Sequence, residues 1–187
     1  MRIGIALGSN LGDRLANLRA ARKSIDLLAS PLANPRGSAH LRRSVPDLAT
    51  DKSSVLVSPV YETEPVDCEP GAEKFLNAVL EFEYDGDPTE LLEQLRGIEE
   101  SLGREPNHPP NVSRKIDIDL LYADDLVIKN ERLQLPHPRL HQRRFVLQPL
   151  ADIRPNLVLP EQKEPVRELL AQIKDSTKVS CFTEDWR

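Results

Sequence analysis

Two aspartates stand two residues apart in the stretch Arg114-Lys115-Ile116-Asp117-Ile118-Asp119-Leu120-Leu121-Tyr122. The stretch alternates as a strand does, with Ile116, Ile118 and Leu120 on one face and Asp117 and Asp119 on the other. Strands disfavour Asp, and two carboxylates side by side repel each other. Such a pair reads either as a solvated strand face or as a seat for a hard divalent cation. Magnesium takes one or two carboxylates and completes its shell with water and phosphate oxygens. Arg104 and Arg114 flank the pair, and guanidiniums suit phosphate. The chemistry open to these residues is that of a Mg²⁺–nucleotide site. A second group lies in Phe75-Leu76-Asn77-Ala78, where Phe75 and Asn77 share a face and Leu76, Ala78, Leu80 and Phe82 share the other. A ring beside an amide can stack on and hydrogen-bond a flat heterocycle, or can belong to a partly covered sheet face. The turn Gly8-Ser9-Asn10-Leu11-Gly12-Asp13 could hold a phosphate, but it lacks the Lys of a P-loop. A strand-to-helix turn capped by Asn10 or Asp13 is its plainer reading.

These groups need elements to position them. Ile3 to Leu7 reads as a strand, and Leu15, Leu18, Ala21, Ile25 and Leu28 recur at helical spacing. Residues 54–61 read as a second strand whose end Pro59 pushes towards an edge, and residues 75–84 as a third. Asp87-Pro88-Thr89-Glu90 is a helix start, Leu91, Leu92, Leu95, Ile98 and Leu102 form its buried stripe, and Gly103 ends it. A proline-rich loop then feeds the aspartate strand. A short strand from Leu126, a helix over 139–150 carrying Arg143, Arg144 and Phe145, an apolar run at 157–160 and a short helix over 165–173 follow. The order β-α-β-β-α-β predicts an α+β fold: a ferredoxin-like two-layer sandwich with an antiparallel sheet, two helices on one face, and extra C-terminal strands and helices. A ligand would use the open face.

With 187 residues, 39% of them hydrophobic, the chain suits a single domain spanning 1–187. Residues 31–53 hold three prolines, Gly37 and Arg36, Arg42 and Arg43, and read as a long exposed loop insertion. The net charge of −5 speaks against nucleic acid as a partner. Cys68 and Cys181 form no metal or disulfide spacing, and no apolar run has the length of a membrane span. A cytoplasmic protein acting on small molecules is the expectation.

Five blocks in this order resemble one family over nearly the whole chain. They are Ala6-Leu7-Gly8-Ser9-Asn10-Leu11-Gly12-Asp13, Ser58-Pro59-Val60-Tyr61-Glu62-Thr63, Phe75-Leu76-Asn77-Ala78, the aspartate strand, and Leu135-Pro136-His137-Pro138 with Arg143-Arg144-Phe145-Val146-Leu147. The family is 6-hydroxymethyl-7,8-dihydropterin pyrophosphokinase. The resemblance implies transfer of the pyrophosphoryl group of ATP to the hydroxymethyl group of a reduced pterin, giving AMP and the pterin pyrophosphate on the route to folate. It implies that Asp117 and Asp119 hold two Mg²⁺ ions and act with Arg104 and Arg114 in catalysis. Glu99, Arg104, Arg114, Leu120, Arg132, His137 and Arg143 would contact ATP. Phe75 and Phe145 would sandwich the pterin, with Asn77 and the stretch Thr63, Glu64, Pro65, Val66 reading its edge.

The chain departs from the pattern between Glu105 and Ser113, where there is no Lys or Arg. The segment 31–53, with Arg36, His40, Arg42 and Arg43, reads as a solvated insertion with no role or, alternatively, as a lid that supplies part of that charge over ATP. Two other readings stand beside this one. The chain acts on a different pterin or binds but turns over poorly because of the altered loop, or it is a non-enzymatic ferredoxin-like module for RNA, against which its acidity counts.

Overall fold

Ile3, Ile5 and Leu7 send their side chains to one side of β1 (Arg2–Ser9), and Gly4, Ala6 and Gly8 keep the other side thin. A strand apolar on one face and slim on the other is suited to the middle of a sheet. The computed structural model of the protein describes residues 1–29, 55–66, 68–104, 112–174 and 177–186. The expected insertion at 31–53, with the lid assigned to it, lies outside the described residues, as does most of the 105–113 loop.

In chain order the described elements are β1, α1 (Arg14–Ala29), β2 (Leu56–Val57), β3 (Val60–Thr63), β4 (Phe75–Glu83), α2 (Pro88–Ser101), β5 (Asp117–Ala123), β6 (Ile128–Lys129), β7 (Gln134–Leu135), a 3-10 turn (Leu140–Gln142), α3 (Arg144–Ile153), α4 (Val166–Gln172) and β8 (Val179–Thr183). The main sheet runs β5-β1-β4-β3-β8 with antiparallel neighbours, and β2 also pairs β4. β6 and β7 form a separate hairpin.

The helices α1 and α2 bury Leu18, Ala21, Ile25, Leu91 and Leu95 against Ile3, Ile5, Leu7, Leu76, Leu80 and Ile118. Asp13 caps α1 by accepting the Ala16 amide at 3.0 Å, and Asp87 caps α2 by accepting the Thr89 amide at 2.7 Å. Gly103 ends α2 at φ +93°, a conformation that a side chain would strain.

The opposite face is not left open. Val146, Leu147 and Leu150 of α3, with Val166 at the start of α4, cover Val79, Leu121 and Tyr122. The two-layer expectation is corrected by this partial third layer. A bulge where β5 passes Gly4 and Ile5 turns both Leu121 and Tyr122 to that side. What stays uncovered is the end of the sheet where β1 finishes and β4 and β5 begin.

Three further expectations change. The strand expected at 54–61 is cut at Pro59 into β2 and β3; Ser58 bridges the cut, its Oγ accepting the Val79 amide at 2.9 Å. β3 is not an edge, because β8 pairs outside it. The helix expected at 139–150 is a 3-10 turn and then α3, parted at Arg143, whose backbone is extended at φ −114° and ψ 106°.

Candidate active site

Gly8 is the joint of the site. In the sheet register it lies opposite Asn77 on β4 and opposite Asp117 on β5. The heterocycle candidate and the acidic pair are therefore neighbours across one strand. A Cβ at position 8 would come within 3.3 Å of Asn77 Oδ1, 3.7 Å of the Phe75 ring and 3.9 Å of Asp117 Cβ. The missing side chain keeps that floor clear. A cavity of about 310 Å³ opens above it, bounded by Phe75, Asn77, Asp117 and Asp119, by Arg104, Arg114, Arg139 and Arg143, and by Thr63, Glu64, Val66, Cys68 and Phe145. Asn77 is held by donating from Nδ2 to Thr63 Oγ1 at 2.8 Å.

Charge is concentrated at the β5 side. Arg104 donates to Asp117 Oδ1 at 2.7 Å and also to Glu99. Arg114 lies 3.5 Å from Asp117, and Arg143 lies 3.4 Å from Asp119. Burial and the neighbouring Asp119 raise the Asp117 carboxyl above its ordinary range, against the pull of Arg114 and Arg104. Among the described residues no third His, Cys, Asp or Glu joins the pair. Two crowded hard-oxygen donors beside cations that suit phosphate match the magnesium donor set. The Arg114 Nε is buried without an acceptor among the described residues. An unmatched buried donor calls for an anion supplied from outside. Both aromatic rings carry a guanidinium: Arg114 stands 5.9 Å from the Phe75 ring and Arg143 5.4 Å from the Phe145 ring.

Not every residue implied by the resemblance reaches the cavity. Glu99 is buried beneath it, accepting the Ile118 amide at 2.7 Å and gripping Arg104. Burial pushes its carboxyl up to about 7. The structure places it as a brace for Arg104 and β5. Leu120 points into the core behind the strand. Arg132 stands exposed on the β6–β7 turn, away from the lining. Pro65 sits half-buried between Glu64 and Val66. His137 is absent from the cavity lining, its Nδ1 accepting the Arg139 amide at 3.2 Å; burial first, then the charges of Arg143 and Arg139, lower its pKa to about 4.

Sequence reasoning missed two features. Asn10, fully buried, is not a helix cap: its Oδ1 accepts the Arg114 amide at 2.7 Å, and its Nδ2 donates to Ser113 Oγ at 2.9 Å. It pins the chain just before β5. Arg139, which the sequence places inside the expected 139–150 helix, lines the cavity instead, and its place between His137 and Arg143 is the signal for it.

Known proteins resemble this chain in sequence and in fold. The family model for 7,8-dihydro-6-hydroxymethylpterin-pyrophosphokinase matches residues 4–155. A 2-amino-4-hydroxy-6-hydroxymethyldihydropteridine pyrophosphokinase of Haemophilus influenzae is 33% identical over 171 residues, 91% of this chain and 92% of that protein. The protein of the same name from Bacillus subtilis is 40% identical over 151 residues, 80% of this chain and 75% of its own. Among solved structures, wild-type HPPK-DHPS of Plasmodium falciparum shares the fold at a TM-score of 0.62 and 14% identity. It matches 91% of this chain, which spans only 44% of that one. A family model matching residues 4–155, with relatives 33% and 40% identical over most of the chain, leaves one conclusion: the chain belongs to the 7,8-dihydro-6-hydroxymethylpterin-pyrophosphokinase family.

Proposed function

We propose that the chain transfers the pyrophosphoryl group of ATP to 6-hydroxymethyl-7,8-dihydropterin, releasing AMP. The observation that carries this is the register at Gly8, which sets the ring-and-amide pair Phe75 and Asn77 beside the acidic pair and its arginines in one cavity. In the reaction the hydroxymethyl oxygen bonds to the β-phosphorus as the bond from that phosphorus to the oxygen bridging the α-phosphate breaks. AMP leaves with the electron pair, and the hydroxyl proton passes to solvent.

Phe75 and Phe145 stack on the pterin, Asn77 hydrogen-bonds its edge, and Thr63, Glu64, Pro65 and Val66 border it. Arg104, Arg114 and Arg143 meet the phosphates, a task that is mostly positioning and neutralisation in this kind of transfer. Arg132 and His137 lie outside the cavity lining, so this reading gives them no direct contact with the phosphates. Asp117 and Asp119 would hold two Mg²⁺ ions, which when bound supply charge neutralisation along the polyphosphate. Glu99 serves this site by holding Arg104. The sheet order β5-β1-β4-β3, with α1 and α2 together on one face, supports a ferredoxin-like assignment for the single domain. No helix among the described residues is long and apolar enough to cross a membrane, and the spacing of Cys68 and Cys181, which makes no disulfide framework, supports a reducing, cytoplasmic setting.

The test is release of AMP from ATP and Mg²⁺ that depends on added hydroxymethyl-dihydropterin. AMP release indifferent to the pterin, or none at all, removes this reading.

A further inference from the structure

We propose that Arg139 is a further substrate-binding residue of this cavity and contacts the β- and γ-phosphates of ATP. The assignment rests on the pyrophosphokinase reading. Four guanidiniums line the cavity, and three are engaged by carboxylates: Arg104 by Glu99 and Asp117, Arg114 by Asp117, Arg143 by Asp119. Arg139 has no carboxylate within ion-pair distance among the described residues. Its side chain is exposed, yet its backbone is tied down. Its amide donates to His137 Nδ1 at 3.2 Å, and its carbonyl accepts the Gln142 amide at 3.1 Å. An uncommitted cation on an anchored turn, facing a cavity built for a polyphosphate, is poised for an anion.

Placement supports the same role. Arg104 and Arg114 come from the stretch between α2 and β5, whereas Arg139 and Arg143 come from the stretch leading into α3. Phosphates held at Asp117 and Asp119 would thus meet positive charge from two separate segments. The charge of Arg139 is felt inside the site, where it helps to depress His137 and Arg143. The sequence from Glu105 to Ser113 offers no cation for this purpose.

The test is calorimetric binding to the intact chain with Mg²⁺ present. The probes are α,β-methylene-ATP, which resists the transfer, AMP, and oxidised 6-hydroxymethylpterin. Arg139→Gln is expected to weaken the ATP analogue by about fivefold or more, to leave AMP and pterin within about twofold, and to flatten the salt dependence for the analogue. Arg139→Lys is expected to recover part of the loss. An unchanged affinity for the analogue in Arg139→Gln overturns the assignment, and so does an equal loss for AMP, which would mark a diffuse field rather than a β,γ contact. A wild-type chain that binds no analogue overturns the parent reading and Arg139 with it, before any variant is made.

Discussion

On the proposed reading Asp117 serves the metal and phosphates and Phe75 the pterin, and substitutions should separate them. Asp117→Ala or Asp119→Ala is expected to lower turnover by about a hundredfold or more, because ion-held charge stabilisation is worth several kcal/mol. Circular dichroism should show the fold retained. Near wild-type turnover in both variants would sink the metal assignment. Phe75→Ala and Phe145→Ala should each weaken pterin binding about tenfold, from the ~1–1.5 kcal/mol of a lost stacking face, and leave the affinity for an ATP analogue alone. The reverse pattern would put the pterin elsewhere. Two buried titrating groups oppose each other in the metal-free protein. The folded carboxyl of Glu99 is raised to about 7 from 4.5, so its stabilising share is present below pH 4.5 and lost as pH rises through 7. His137 is depressed to about 4 from 6.5, so its share is present above pH 6.5 and lost as pH falls through 4. Each slope is at most ~1.4 kcal/mol per pH unit, and between pH 4.5 and 6.5 they largely cancel. In EDTA, the Tm of Glu99→Gln should rise with pH over that window and the Tm of His137→Gln should fall. Profiles parallel to wild type in both would refute the pair of shifts.

Elements reach the site through clips as well as through packing. Asn10, at the end of β1, holds the Arg114 amide and so sets where Arg114 enters β5. Asn10→Ala removes the acceptor from that partly buried amide, at a cost of roughly 1 kcal/mol in stability, and should weaken ATP binding several-fold while pterin binding changes little. Isothermal binding alongside urea melts distinguishes the outcomes: a stability loss with ATP affinity intact would make the clip structural only. The helix α2 was legible end to end, since Asp87, Pro88 and Gly103 are local signals obeyed locally. The break at Arg143 was not. Leu140, Val146, Leu147 and Leu150 are all buried and keep a nearly helical spacing across it. Arg143 turns out of that spacing, with an extended backbone and its guanidinium towards Asp119.

At the scale of the molecule, one side chain ties the far edge of the sheet to the helices. Trp186 is buried, donates from Nε1 to the Ser58 carbonyl at 2.8 Å, and lies under the Arg22 guanidinium 5.2 Å away. It thus joins the tail after β8 to the cut between β2 and β3 and to α1. Trp186→Ala should cost about 3–5 kcal/mol in urea unfolding, and the folded fraction should keep its kcat, because the cavity lies at Gly8 and shares no residue with this contact. A change of less than 1 kcal/mol, on the order of an ordinary surface substitution, would show the contact to be idle.

Short-range patterning alone specifies the alternation that puts Asp117 and Asp119 on one face and Ile116, Ile118 and Leu120 on the other, the pairing of Phe75 with Asn77, and the capped helix α2. These rest on strand and helix periods and on turn chemistry, which need no distant partner. Only the tertiary structure decided the rest. It laid Asn77 and Asp117 on either side of Gly8, drew Asn10 away from capping onto Arg114, and sent Leu120 into the core and Glu99 beneath the cavity. It also covered half the sheet face with α3 and added β8 outside β3. Each of these depends on register between strands far apart in sequence and on which apolar surface finds a partner. A one-residue slip in register would reverse every such neighbour, and no local pattern encodes that choice.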